Sequence, residues 1–89
     1  DFRQGTFGVL DCGAYITNFM LAARSIGIDS IAQGAFAMLA SFVRRYFRLG
    51  DERAVVGGIS FGYADTTQPV NQFRTARASR NEIVTLIDE

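Results

Sequence analysis

The chain has 89 residues, 48% apolar and 20% charged, a balance that fits a globular protein and excludes the charge-rich disordered class. Nine arginines against nine acids leave a formal charge of zero, so no global field would hold nucleic acid or an anionic membrane. One cysteine, Cys12, and no histidine exclude an internal disulfide and a zinc-type ligand set, and suit a reducing cytoplasm.

A domain this short buries only about 60–65% of the surface its unfolded chain exposes, so a marginal core and a need for partner surface are expected. The chain enters on Asp1-Phe2-Arg3-Gln4-Gly5-Thr6-Phe7-Gly8 without a start signal and reads as a fragment of a larger domain. No apolar run reaches the length of a membrane span.

Residues 11–27 predict one central helix, with Asp11 as its N-cap, no proline, and Gly27 placed to end it in a left-handed turn before Ile28. Cys12, Ala14, Tyr15, Ile16, Phe19, Met20, Leu21 and Ile26 fall on every side of it, and a helix apolar all round is expected to be buried all round. Gly13, Ala14, Ala22 and Ala23 are small enough for another backbone to come close. The helix is therefore expected against a dimer mate.

A second helix is expected over 35–49, with Phe36, Leu39, Ala40, Val43 and Phe47 near the three-and-four spacing of one buried stripe. Arg44, Arg45 and Arg48 complement the dipole of its last turns, a solvated helix end rather than a phosphate site, and Gly50 stops it. Residues 54–63 read as a strand packed on both faces, in which Gly57, Gly58 and Gly62 signal close approach by another backbone or a ligand. From 64 to 82 periodicity disappears, too long a stretch for an ordinary connection, which predicts either disorder or an extended arm laid over another surface. Asp65 and Asn71 are expected to cap local turns within it. Residues 83–87, Ile-Val-Thr-Leu-Ile, have strand propensity and predict an ordered end strand.

The segment from Gly57-Gly58-Ile59-Ser60-Phe61-Gly62 through Pro69-Val70-Asn71 to Arg74 and Arg77 resembles the carboxy-terminal end of the nitroreductase family. The resemblance extends back through Asp11-Cys12-Gly13-Ala14-Tyr15 and the run from Ser25 to Phe36, in the family's order. It implies an α+β fold with a mixed sheet wrapped by helices, in an intertwined homodimer whose carboxy-terminal strand crosses to the partner. This chain would then be the C-terminal part of a single domain. The implied cofactor is FMN at the subunit interface, and the implied partners are NAD(P)H and a small-molecule acceptor such as a nitroaromatic or quinone.

By the same resemblance, the backbone of Ala32-Gln33-Gly34-Ala35 passes the flavin ring, and small residues there let a peptide N–H approach it. An ordinary inter-helix turn is the other reading of this loop. Arg77 matches the arginine that binds the FMN phosphate, with Arg74 as its companion at wider spacing than is common in the family; a planar guanidinium suits phosphate oxygens. Without the resemblance both arginines read as surface residues. Cys12 reads as an inert core thiol, and Phe36 as the aromatic nearest the cofactor. The family's amino-terminal Arg-Ser-x-Arg-type motif is not found in these 89 residues, so flavin binding and turnover are expected of a longer chain. A non-catalytic α+β dimerisation module is the alternative reading.

Overall fold

Residues 5–88 are described by the computed structural model, and the opening segment read from Asp1 to Gln4 lies outside the described residues. Helix α1 spans Gly5–Ser25, six residues earlier than Asp11 had suggested. Nothing between Gly5 and Asp11 breaks a helix, since a glycine such as Gly8 costs only about 1 kcal/mol in its interior; Asp11 is an interior residue and not the cap. The end falls where the sequence placed it. Gly27 adopts φ 81°, its N–H donates to Arg24 O at 3.0 Å, and Ile28 N–H donates to Ala23 O at 2.9 Å. These two bonds satisfy carbonyls that the last turn leaves without partners, and they set Ile28 back against Ala23.

The chain turns there into β1, Asp29–Gln33, which pairs antiparallel with β2, Gly58–Gly62. The register sets Asp29 opposite Gly62, Ile31 opposite Ser60 and Gln33 opposite Gly58. The strand expected over 54–63 is therefore shorter, its first four residues lying ahead of the ladder. Alternation sends Phe61 to one face, where its ring lies 5.4 Å from that of Phe19 on α1. Gly58 points to the other face, toward Phe36.

Two short helices replace the single one expected over 35–49: α2, Ala35–Met38, and α3, Ala40–Phe47. They part at Leu39 (φ −104°, ψ 25°), whose N–H reaches Phe36 O at 3.1 Å, the tight i→i−3 bond of a 3₁₀ turn. Arg48, not Gly50, ends α3. It takes the left-handed conformation at φ 56°, with Leu49 N–H donating to Arg44 O at 2.8 Å.

The arm is more structured than its sequence suggests. A 3₁₀ turn forms at Pro69–Asn71, and a one-turn helix α4, Arg80–Ile83, follows a capping box in which Ser79 and Glu82 bond reciprocally. Ile83 thus closes a helix where the end strand was expected to start; Val84 is extended (φ −123°, ψ 120°), and 84–88 join no ladder among the described residues.

Among the described residues only Ala23 is buried, so α1 is not covered all round by them. The accessible surface is 8098 Å², against about 5200 Å² for a compact monomer of this mass. The Cα radius of gyration is 16.8 Å, where a compact chain of this length has about 12 Å. Most large apolar side chains of these helices and strands are therefore exposed within this chain. No helix among the described residues is long and apolar enough to cross a membrane.

Candidate cofactor site

Ala32 and Gln33, read from sequence as loop, are the last two residues of β1, facing Ile59 and Gly58. Gly34 follows in helical conformation (φ −71°, ψ −22°) and its carbonyl accepts from Ala37 N–H at 3.0 Å; Ala35 is the first residue of α2. The four residues thus form a strand-to-helix corner rather than an inter-helix turn. Two glycines of β2's approach hold the corner in place. A Cβ on Gly57 would lie 3.2 Å from Gln33 O, and one on Gly58 would lie 2.6 Å from Cδ2 of Phe36. Close approach by the chain itself, by backbone at Gly57 and by an aromatic ring at Gly58, explains both.

Beside Gly34 the situation is reversed: a Cβ there would meet nothing within 4 Å. The corner therefore presents bare backbone to open space, as a flat ring laid against it requires. Because α2 is a single turn, its macrodipole is small, and whatever polarity the corner offers comes from individual N–H groups. An open apolar groove of about 430 Å³ runs between α2–α3 and β2, lined by Phe36, Leu39, Val43, Phe47, Val55 and Ile59 among others. Phe36, Leu39, Val43 and Phe47 of the stripe read from the sequence line that groove, but they are not buried within this chain as expected.

Arg74 and Arg77 lie on the arm, and among the described residues neither pairs with an acid. Arg74 Nη1 donates to Asn71 O at 3.0 Å and to Phe73 O at 2.9 Å. Arg77 Nη1 donates to Ala76 O at 3.1 Å and contacts Thr75 Oγ1. All these partners are neutral and within three residues, so no described residue compensates the positive charges. No hydrogen bond among the described residues joins the two arginines to the corner at 32–35.

What precedes the arginines is fixed. Asp65 Oδ1 accepts from Thr67 Oγ1 at 2.7 Å and Thr67 N–H at 3.0 Å, and the hydroxyl bond, then the backbone bond, hold its carboxyl below the usual range. Asn71 Nδ2 donates to Asp65 O at 2.7 Å, and Gln72 Nε2 to Thr66 O at 3.0 Å. Side chains here substitute for a ladder, which is why hydrophobic periodicity gave no sign of the order. Asp29 also escaped the sequence reading. Its place after the Gly27 turn, opposite Gly62, emerges only once β1 and β2 are paired.

The profile of the nitroreductase family matches residues 3–63, more than half of the sequence. The chain belongs to the nitroreductase family. It is 35% identical over 77 residues to a chloronitrobenzene nitroreductase of Comamonas testosteroni, covering 86% of this chain and 34% of that protein. To nitroreductase NfnB of Mycolicibacterium smegmatis it is 44% identical over 73 residues, covering 81% of this chain and 30% of that one. A crystal structure of the FMN and NADPH-dependent nitroreductase NfnB from Sphigopyxis sp. strain HMH superposes with a TM-score of 0.87 at 28% identity, over 96% of this chain and 38% of that chain. The chain spans about a third of the length of the curated relatives it matches.

The residues present fit a flavin mononucleotide. The backbone at Gly34 is open on the side a Cβ would take, and the two exposed guanidiniums have no acidic partner among the described residues, features compatible with a planar ring and a phosphate. Among the described residues no group of three or more His, Cys, Asp or Glu is placed to hold a metal ion.

Proposed function

We propose that this chain is the carboxy-terminal part of an FMN-dependent NAD(P)H oxidoreductase acting on a nitroaromatic, quinone or similar acceptor. The observation that carries the reading is the match in fold to an FMN and NADPH-dependent nitroreductase along nearly the whole chain. Bound FMN would supply the redox chemistry, taking hydride from NAD(P)H and delivering reducing equivalents to the acceptor.

The chain's own residues bind and orient. The backbone of Ala32, Gln33, Gly34 and Ala35 lies along the ring, and the absence of a Cβ at Gly34 sets how near the ring comes. Arg77, with Arg74, neutralises the phosphate, for which the arginines exchange their present backbone carbonyls. Phe36, wedged on Gly58, keeps the corner from rolling. No side chain here is assigned acid or base work.

The protein works as a homodimer. The surface beyond that of a compact monomer, roughly 2900 Å², is available for the rest of the polypeptide and a partner subunit to cover. The bare faces of α1 and the extended 84–88 segment are what the rest of the polypeptide and a partner subunit would cover. Cys12 is an exposed free thiol in this chain, which fits a cytoplasmic location. The same uncovered surface favours a second reading, a dimerisation module without turnover.

Steady-state kinetics of the full-length protein separate the two. Reduction of a nitroaromatic at the expense of NADPH or NADH, with parallel double-reciprocal lines as the second substrate is varied, supports the oxidoreductase. A full-length protein that binds FMN yet oxidises neither nucleotide leaves the module.

A further inference from the structure

Asp29 touches two parts of the chain that the sequence keeps far apart. Its Oδ1 accepts from Nη1 of Arg24, in the last turn of α1, at 2.9 Å. Its Oδ2 accepts from the backbone N–H of Ala64, 35 residues on, at 3.1 Å. Ala64 is the second residue past the end of β2, and β1 begins at Asp29, so no further backbone of β1 remains to pair with it. The carboxylate takes the place of the next rung of the ladder.

We propose that Asp29 is a positioning residue for the arm that carries Arg74 and Arg77, aiming those arginines at the cofactor phosphate. The inference rests on the FMN reading above and adds to it the residue that sets the arm's direction. From Ala64 the fixation is continuous. Asp65 holds Thr67, Asn71 holds Asp65 and Gln72 holds Thr66, so 65–72 behaves as one piece. Arg74 follows two residues later.

That piece joins the sheet through Gly62, Tyr63 and Ala64. Gly62 ends the ladder opposite Asp29, so Tyr63 and Ala64 form the joint by which the arm leaves the sheet, and that joint is free to turn unless Ala64 is held. The bond at Oδ2 holds it, with a charged acceptor and therefore more firmly than an ordinary backbone bond. Arg24 fixes the rotation of the carboxylate so that Oδ2 faces Ala64. Both members of the Arg24–Asp29 pair are substantially exposed, so its contribution to stability is small and its importance is geometric.

The test compares two ligands that differ only in the phosphate, FMN and riboflavin, by fluorescence titration of the full-length apoprotein, with thermal unfolding recorded alongside. Asp29→Ala is expected to weaken FMN about tenfold while leaving riboflavin within about twofold, the loss expected when one charge-assisted bond is removed. Asp29→Asn keeps one acceptor and the side-chain volume, and should fall between; it also serves if the alanine variant folds poorly. Arg77→Ala is the reference for loss of the phosphate contact itself. If Asp29→Ala lowers FMN and riboflavin equally, or neither, while Arg77→Ala still discriminates between them, Asp29 is a structural residue and the proposal is overturned. If Arg77→Ala does not discriminate, the phosphate site is misassigned, and the positioning role fails with it.

Discussion

Phe36 lies on Gly58: the Cβ that any other residue would place at 58 falls 2.6 Å from its Cδ2 and 3.0 Å from its Cε2. The ring therefore keys α2 to β2, and α2 begins at the corner assigned to the flavin. Gly58→Ala must displace the ring, and overpacking of this kind costs roughly 1–3 kcal/mol. Urea unfolding of the full-length protein should show that loss, and Phe36→Leu in the Gly58→Ala background should recover part of it. An unchanged midpoint would mean that the ring moves freely and keys nothing.

Gly34 gives the opposite pattern. Its backbone is helical and its surroundings are open, so Gly34→Ala is expected to leave stability unchanged or raise it by about 0.5 kcal/mol through the unfolded state. A methyl group there stands between backbone and ring, so flavin affinity should fall for FMN and riboflavin alike. Titration with both ligands checks this, and undiminished binding would remove the corner from the site.

Arg77→Ala should weaken FMN by roughly ten- to hundredfold, as expected for hydrogen bonds to a charged group, with riboflavin unaffected. Arg74→Ala should do the same to a lesser degree. The comparison is read from dissociation constants of the full-length apoprotein.

Arg48 ends α3 in the left-handed region, at φ 56°, where a side chain costs about 1–2 kcal/mol. Arg48→Gly removes that cost while keeping the bonds of the turn, and should stabilise the protein by about 1 kcal/mol. Gly27→Ala, at φ 81°, should destabilise by a similar amount. Chemical denaturation measures both.

Glu82 closes the capping box of α4, accepting from Ser79 Oγ and Ser79 N–H at 2.7 Å each, and these bonds, the hydroxyl first, hold its carboxyl below the ordinary value. A carboxyl depressed in the folded state adds stability above its unfolded pKa, about 4.3, and loses it as pH falls through the lower folded value. Acid should therefore loosen α4. Carboxyl carbon-13 shifts should titrate with a midpoint below the usual glutamate range, and return to it in Ser79→Ala.

How much was legible follows from the kind of signal each element carries. Gly27 announced the end of α1 because only a left-handed residue followed by an apolar one makes that turn, and the stripe from Phe36 to Phe47 announced an apolar face through its spacing. The start of α1 did not show, since Asp11 offers the chemistry of a cap without the chain needing one there. Strand β1 is five residues between two turns, too short for periodicity, and it is recognised by its pairing with β2. The order in 65–72 comes from side chains bonding to backbone, which leaves no hydrophobic pattern. For the proposed site, Arg77 and the 32–35 corner rest on family resemblance, whereas Asp29 depends on a contact across 35 residues.

The most direct measurement is the visible absorption spectrum of the full-length protein, taken anaerobically before and after NADPH and then NADH. A bound-flavin spectrum that bleaches with either nucleotide is the expected result. A colourless protein that takes up no added FMN would contradict the account and leave a dimerisation module in its place.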